Sequence, residues 1–249
     1  MKYYNIDKEI IAFSTERGCQ DATKPFDGFN ITYYTNDNPQ HIFNCKQALC
    51  NDLGIDDQHI VLPRQVHDIK VAEVTEQNIC SKFEGFDSLI TTLPRTCIGV
   101  STADCVPILI YDSSARAIAA AHAGWRGTVG RIGRKTVLAL QNRYESRPED
   151  MKVIIGPSIG PDAFEVGDEV YDAFRKQYFA MNKISFKIRE KWHIDLWQAN
   201  MLDLVESGVK LSNINIVGIC TYQNYERFFS ARRLGINSGR IFTGIMKKR

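Results

Sequence analysis

The chain has 249 residues, 44% of them hydrophobic and 24% charged. Those proportions belong to an ordinary folded protein and exclude a disordered or fibrous one. Thirty-one Lys and Arg against 29 Asp and Glu leave a formal charge of +2 with no long basic run, so neither nucleic acid nor a membrane is an expected partner, and small polar molecules are.

The opening stretch MKYYNIDKEIIAFSTERG has no uninterrupted apolar core and no small-residue cleavage site, and no later run reaches the roughly 18 apolar residues that span a bilayer. A cytoplasmic protein is expected. The seven cysteines (19, 45, 50, 80, 97, 105 and 220) are odd in number and lack CxxC spacing, which fits reduced thiols better than a disulfide framework. Residues 10–15 (IIAFST) predict a first strand. Residues 41–53 repeat apolar side chains at 42, 45, 49 and 53 and stop at Gly54, the period and ending of a helix. Six short strands follow, at 60–66, 69–74, 87–91, 97–101, 106–111 and 116–122. A helix over 128–144, capped by Thr128, comes after the turn GWRG, then a strand at 152–156. Helices are predicted over 168–179 and 195–207, the second stopped by Gly208, and a buried strand at 214–219. The remainder to Arg249 reads as a polar, aromatic tail. Only one polar loop, 146–150, resembles a boundary and no repeat is present, so residues 1–249 are expected to form a single α/β (α+β) domain of mixed sheets flanked by helices.

The strands at 106–111 and 116–122 carry chemistry at their ends. Cys105 precedes the first, His122 closes the second, and His67 stands earlier in RQVH. Two imidazoles and a thiolate suit zinc, and three protein ligands leave the fourth tetrahedral position open, as catalytic sites do. Cys105 and His122 alone are equally a nucleophile and its base, since neighbouring strand ends bring a thiol within reach of an imidazole. Both alternatives need the same sulfur. In HAGWRGTVGRIGR, glycines at 124, 127, 130 and 133 let a backbone or ligand approach a helix start, and Arg126 and Arg131 favour an anion there. The stretch is neither a Walker A loop nor a GxGxxG fingerprint. FFSARR (228–233) sets two arginines beside Ser230, and a guanidinium fork suits phosphate or carboxylate. His41, His59 and His193 read as structural or surface residues. No HxE with PCxxC is present, so the usual nucleobase-deaminase zinc pattern is absent. Five histidines without an HxH pair are too few for a multi-copper cluster.

RQVH, the segment from GFDSLIT to STADCVPILIYD, AAHAGWRGT, IGPSIGP with FEVG, and CT followed by FFSARR match in order the YfiH-like laccase-domain family, also called purine nucleoside phosphorylase or polyphenol oxidoreductase proteins. The resemblance runs over residues 65–240. It implies αββα layers related to the cysteine-dependent toxin deamidase fold, with zinc on His67, Cys105 and His122. It further implies phosphorolysis of adenosine, inosine and methylthioadenosine, with some adenosine deamination. Cys105, His122 and Asp104 are then the expected catalytic set, with Asp104 as proton donor or as the carboxylate orienting an imidazole. Arg64, Arg126, Ser230 and Arg232 are the expected substrate and phosphate contacts, and a homodimer is compatible with the family. Copper supplied in vitro would bind the same donors and oxidise phenols as a side activity. The chain departs from the pattern before residue 60, where Arg17 and Gly18 are followed by Cys19 in place of a second glycine, although Asn30, Asp37 and Asn44 fit. It departs again at Ala231, where the family has an aromatic.

Overall fold

In the computed structural model, which describes residues 1–249, strands β1 (Lys2–Tyr4) and β2 (Ile10–Ser14) precede helix α1 (Pro39–Leu53). The strand-rich middle comprises β3 (Ile60–Val61), β4 (Val71–Glu73), β5 (Ser88–Thr91), β6 (Cys97–Thr102), β7 (Val106–Asp112) and β8 (Ala117–Ala123). Helices α2 (Trp125–Val129) and α3 (Ile132–Tyr144) lead to β9 (Met151–Ile155), β10 (Glu165–Val166), α4 (Asp168–Lys176) and α5 (Met181–Ile184). The chain ends with β11 (Ser185–Ile188), β12 (Lys191–Ile194), α6 (Leu196–Glu206), β13 (Ile214–Ile216), α7 (Ala231–Leu234) and β14 (Ile241–Lys247).

Two sheets carry the fold, in the orders β1-β2-β14-β6-β3 and β13-β9-β7-β8-β5-β4, and a small sheet β10-β12-β11 lies apart from them. Both β7 and β8 are buried at every position, because each has two covered faces. Leu109, Tyr111, Ile118 and Ala120 point between the sheets, where they meet Ile98, Val100 and Ile245 of the other sheet. The alternate residues Ile108, Ile110, Ala119 and Ala121 pack under Val137, Leu140 and Leu204 of α3 and α6. On the far side, Leu49 and Leu53 of α1 cover Phe13, Cys97, Phe242 and Met246. The result is a mixed α/β architecture in the expected αββα order. No helix is long and apolar enough to cross a membrane.

Local signals account for the helix ends. The Asn38 side chain accepts from the Gln40 amide ahead of Pro39, and Gly54 closes α1 in the left-handed region. Three expectations are overturned. The buried strand expected over 214–219 is the short, partly exposed edge strand β13. The helix over 128–144 is two helices: Arg131 breaks it at φ 60°, and Thr128 lies inside α2 instead of capping. The break is held by Asp203, whose carboxylate takes the Arg131 guanidinium at 2.6 Å and also bonds the Arg134 backbone amide. The supposed polar tail contains β14, buried throughout and inserted between β2 and β6. Thr243 and Gly244 hide its apolar run, yet Gly244 is needed: a Cβ there would lie 2.7 Å from the Phe242 ring and 3.0 Å from the Cys97 sulfur.

Candidate metal centre

The β6–β7 connection, residues 103–105, carries the chain from one sheet to the other and leaves Cys105 at the entrance of β7. Antiparallel pairing sets Val106 opposite Ala123 and Pro107 opposite His122, so the thiol and the imidazole share one end of the sheet. His67 arrives from the loop before β4 in a left-handed conformation, φ 62°. Its ring packs edge to face on His122 with centroids 4.8 Å apart, and its Nε2 lies 3.8 Å from the Cys105 sulfur.

One donor atom from each of these residues falls within 4.8 Å of the others, the sole group of three such ligands in the chain. Donors around a tetrahedral zinc are separated by roughly 3.3–3.6 Å, given bond lengths of about 2.0 and 2.3 Å, so a small contraction closes the site on an ion. Gly124 leaves the room this needs: a Cβ there would lie 2.9 Å from His67 Cδ2 and 3.0 Å from the Cys105 sulfur. Burial pushes the Cys105 thiol up, but His122 and then His67 more than offset it and hold the thiol below its ordinary range. Burial pushes the His122 imidazole down, and Cys105 and Asp87 more than offset that in turn. A thiolate is the form that binds a metal. We expect Gly124→Ala to fold but to retain less than about a tenth of the bound metal, by analogy with the 10–100-fold losses that follow when ligands are misaligned; elemental analysis of the purified variant measures it.

Asp87 holds the ensemble together. Its carboxylate is fully buried, accepts from His122 Nδ1 at 2.7 Å, and accepts from the backbone amides of Val66, His67 and Asp68, each at 3.0 Å. One carboxylate therefore fixes the tautomer of one imidazole, leaving Nε2 for a ligand, and fixes the loop that presents the other. GFDSLIT marked this aspartate only as part of a strand; a buried Asp before an apolar run was the available signal. The carboxylate that orients the imidazole is thus Asp87. Asp104, at φ 85°, accepts instead from Thr221 Oγ1 and from the Arg232 amide, both at 2.7 Å.

The centre opens into a cleft of about 620 Å³ whose walls include Trp125, Ile159, Phe164 and Ile236. Arg232 reaches this cleft, as does Ala231, which stands where an aromatic was expected. The Arg232 guanidinium donates to the carbonyls of Ala163 and Glu165 and steadies the turn that presents Phe164. The other expected substrate contacts do not converge here. Arg64 stands beside Glu84, 3.9 Å away, because a bridge pairs the two residues' backbones. Arg126 stacks over Trp125, 4.2 Å from the ring, and with Arg131, Arg134 and Lys135 lines a second, basic hollow that also borders His67. Ser230 is fully buried and caps α7 through the Arg233 amide. Arg240 lines the cleft although FFSARR drew attention to its neighbours instead. In the divergent N-terminal segment, Arg17 is 1% exposed and donates to the carbonyls of Ala22, Lys24, Asp27 and Tyr225, so it is a structural cation.

The family model described as multi-copper polyphenol oxidoreductase laccase matches residues 11–248. The chain belongs to this laccase-domain family. It is 44% identical to adenosine deaminase RL5 from an unknown prokaryotic organism, over 96% of this chain and 94% of the relative. It is 41% identical to a purine nucleoside phosphorylase of Bacteroides thetaiotaomicron, over 95% and 91%. Among solved structures, YlmD from Geobacillus stearothermophilus superposes with a TM-score of 0.90 at 28% identity, covering 100% of this chain and 97% of that one. The family description names several coppers, yet only two of the five histidines meet in this laccase-domain protein. His41 bonds Asp37, and His193 bonds the Pro161 carbonyl. Three donors suffice for one ion, not for a cluster.

Proposed function

We propose that this protein is a zinc-dependent purine nucleoside phosphorylase acting on adenosine, inosine and methylthioadenosine, with adenosine deamination as a second activity, and that the whole chain works as one catalytic unit. The observation that carries this is the meeting of His67, Cys105 and His122 at the edge of a cleft of about 620 Å³, a size that encloses a nucleoside. The names of the relatives point the same way. A thiolate and two imidazoles favour zinc, which when bound supplies Lewis-acid polarisation of an oxygen and a water made acidic near neutral pH. Trp125 and Phe164 offer flat apolar walls to a purine. Asp104 is the one carboxylate lining the cleft; anchored by Thr221 and the Arg232 amide, its oxygens are the place from which a proton would pass to the departing purine.

A second reading has one observation behind it: Asp87 bonds His122, whose ligand nitrogen lies within 4.8 Å of the Cys105 sulfur, the order of an acid, base and thiol relay. A cysteine hydrolase related to the toxin deamidases would use that relay without His67. Purified protein is therefore expected to carry about one zinc per chain and to convert inosine and phosphate to hypoxanthine. Metal-free protein that keeps its activity and loses it to a thiol alkylator would replace the zinc enzyme by the hydrolase.

A further inference from the structure

The cleft contains a cation without a counter-ion. Arg240 is half-buried and lines the same cavity as Cys105, yet no carboxylate oxygen lies within the 4.0 Å of an ion pair. Its Nη1 donates to Ser238 and Gly239 and its Nη2 to the Ile236 carbonyl, which leaves Nε–H and one Nη2–H without a protein partner. Two donors are enough for a forked hydrogen bond to an oxyanion. Arg17, the other buried guanidinium, differs: Nε and both terminal nitrogens are engaged by backbone carbonyls.

A second unsatisfied group lies in the same wall. Thr102 is 1% exposed and its hydroxyl has no protein hydrogen-bond partner, and of the four buried side-chain atoms in that condition it alone belongs to the cleft. Both residues line the one cleft that holds Cys105. The remaining arginine of the cleft, Arg232, is occupied by the Ala163 and Glu165 carbonyls. Burial lowers the pKa of Arg240, opposed by Tyr34 and then by Cys105 and Asp104.

We infer that Arg240 and Thr102 form the anion subsite of the cleft and that the anion is inorganic phosphate. The identity of the anion rests on the phosphorylase reading above; the subsite itself does not. A guanidinium held by its own loop meets phosphate without reordering, whereas the enclosed Thr102 hydroxyl gains its partner only by turning towards the cleft.

Calorimetric titration of inorganic phosphate into the metal-loaded protein tests this directly, beside KM values for phosphate and inosine. Arg240→Met is expected to weaken phosphate binding and raise its KM by about 10–100-fold, the range for losing a charged hydrogen bond, with the KM for inosine moving less than about threefold. Arg240→Lys, which keeps the charge but not the fork, should recover part of the affinity. Because Arg240 also ties down residues 236–240, Thr102→Val provides the variant that leaves that loop intact, with an expected weakening of about 2–10-fold. Phosphate affinity unchanged in Thr102→Val and in folded Arg240→Met, or wild-type protein that binds no phosphate, overturns the subsite. Phosphate bound through Arg240 in a protein that leaves inosine intact upholds the subsite and overturns the phosphorylase reading.

Discussion

If the protein is the zinc phosphorylase proposed above, Cys105→Ala purifies without metal and phosphorolyses inosine more slowly by a factor on the order of 10²–10³, the loss seen when one preorganised electrostatic contact is removed from an active site. The sulfur is the sole anionic ligand of the three donors, and without it two neutral imidazoles would have to hold a dication in a cleft that shuts out part of the solvent. His67→Ala discriminates between the two chemistries available to this sulfur. As a metal ligand, His67 is as necessary as Cys105, and both variants should lose zinc and turnover together. In a thiol relay His67 is dispensable, because Asp87 and His122 remain to activate the sulfur. Zinc content by elemental analysis and hypoxanthine release are the two measurements. His67→Ala with undiminished turnover would remove the metal from the mechanism.

Asp87→Ala is expected to cost about 3–5 kcal/mol of stability, the range for breaking a buried charged pair, and to weaken metal binding by roughly 10–100-fold. The substitution strands three consecutive backbone amides and the His122 Nδ1–H, all now satisfied by one fully buried carboxylate. Burial raises the pKa of that carboxylate, while His122 and the amides of Val66 and Asp68 more than offset it, leaving Asp87 more acidic than usual. Its contribution is consequently present above the unfolded carboxyl pKa and lost as pH falls through the lower folded value. Urea unfolding of the metal-free proteins isolates the structural part, and metal titration measures the rest. A stability loss below about 1 kcal/mol, the range for an ordinary neutral hydrogen bond, would show that the loop of residues 66–68 holds itself.

Much of the fold was legible along the chain because burial writes itself into neighbouring residues. The apolar runs of β7 and β8 announced strands covered on both faces, and the thiol and imidazole at their ends could be read as adjacent. The apolar period at 42, 45, 49 and 53 and the stop at Gly54 marked α1, while its start at Asn38 and Pro39 emerged only in the structure. The strand β14 escaped because Thr243 and Gly244 interrupt its pattern, and its role depends on Phe13 and Cys97, more than a hundred residues earlier. Family resemblance could name His67, Cys105 and His122, but their joint use of Asp87 could not be seen in a motif.

Arginines show where local reading ends. Residue type offered Arg64, Arg126 and Arg232 as anion contacts, yet one stands beside Glu84, one lies over Trp125 and one grips a turn, while Arg240, which no motif singled out, faces the cleft without a carboxylate partner. The sequence by itself determined the central buried strands, the apolar period and glycine stop of α1 and the chemical kinds of side chain available, since these follow from periodicity and short-range backbone preference. Tertiary structure alone decided which of those side chains meet. Convergence depends on pairing between segments up to some 230 residues apart, as between β2 and β14, and a long flexible side chain takes its direction from whichever carbonyl, carboxylate or ring the fold sets beside it.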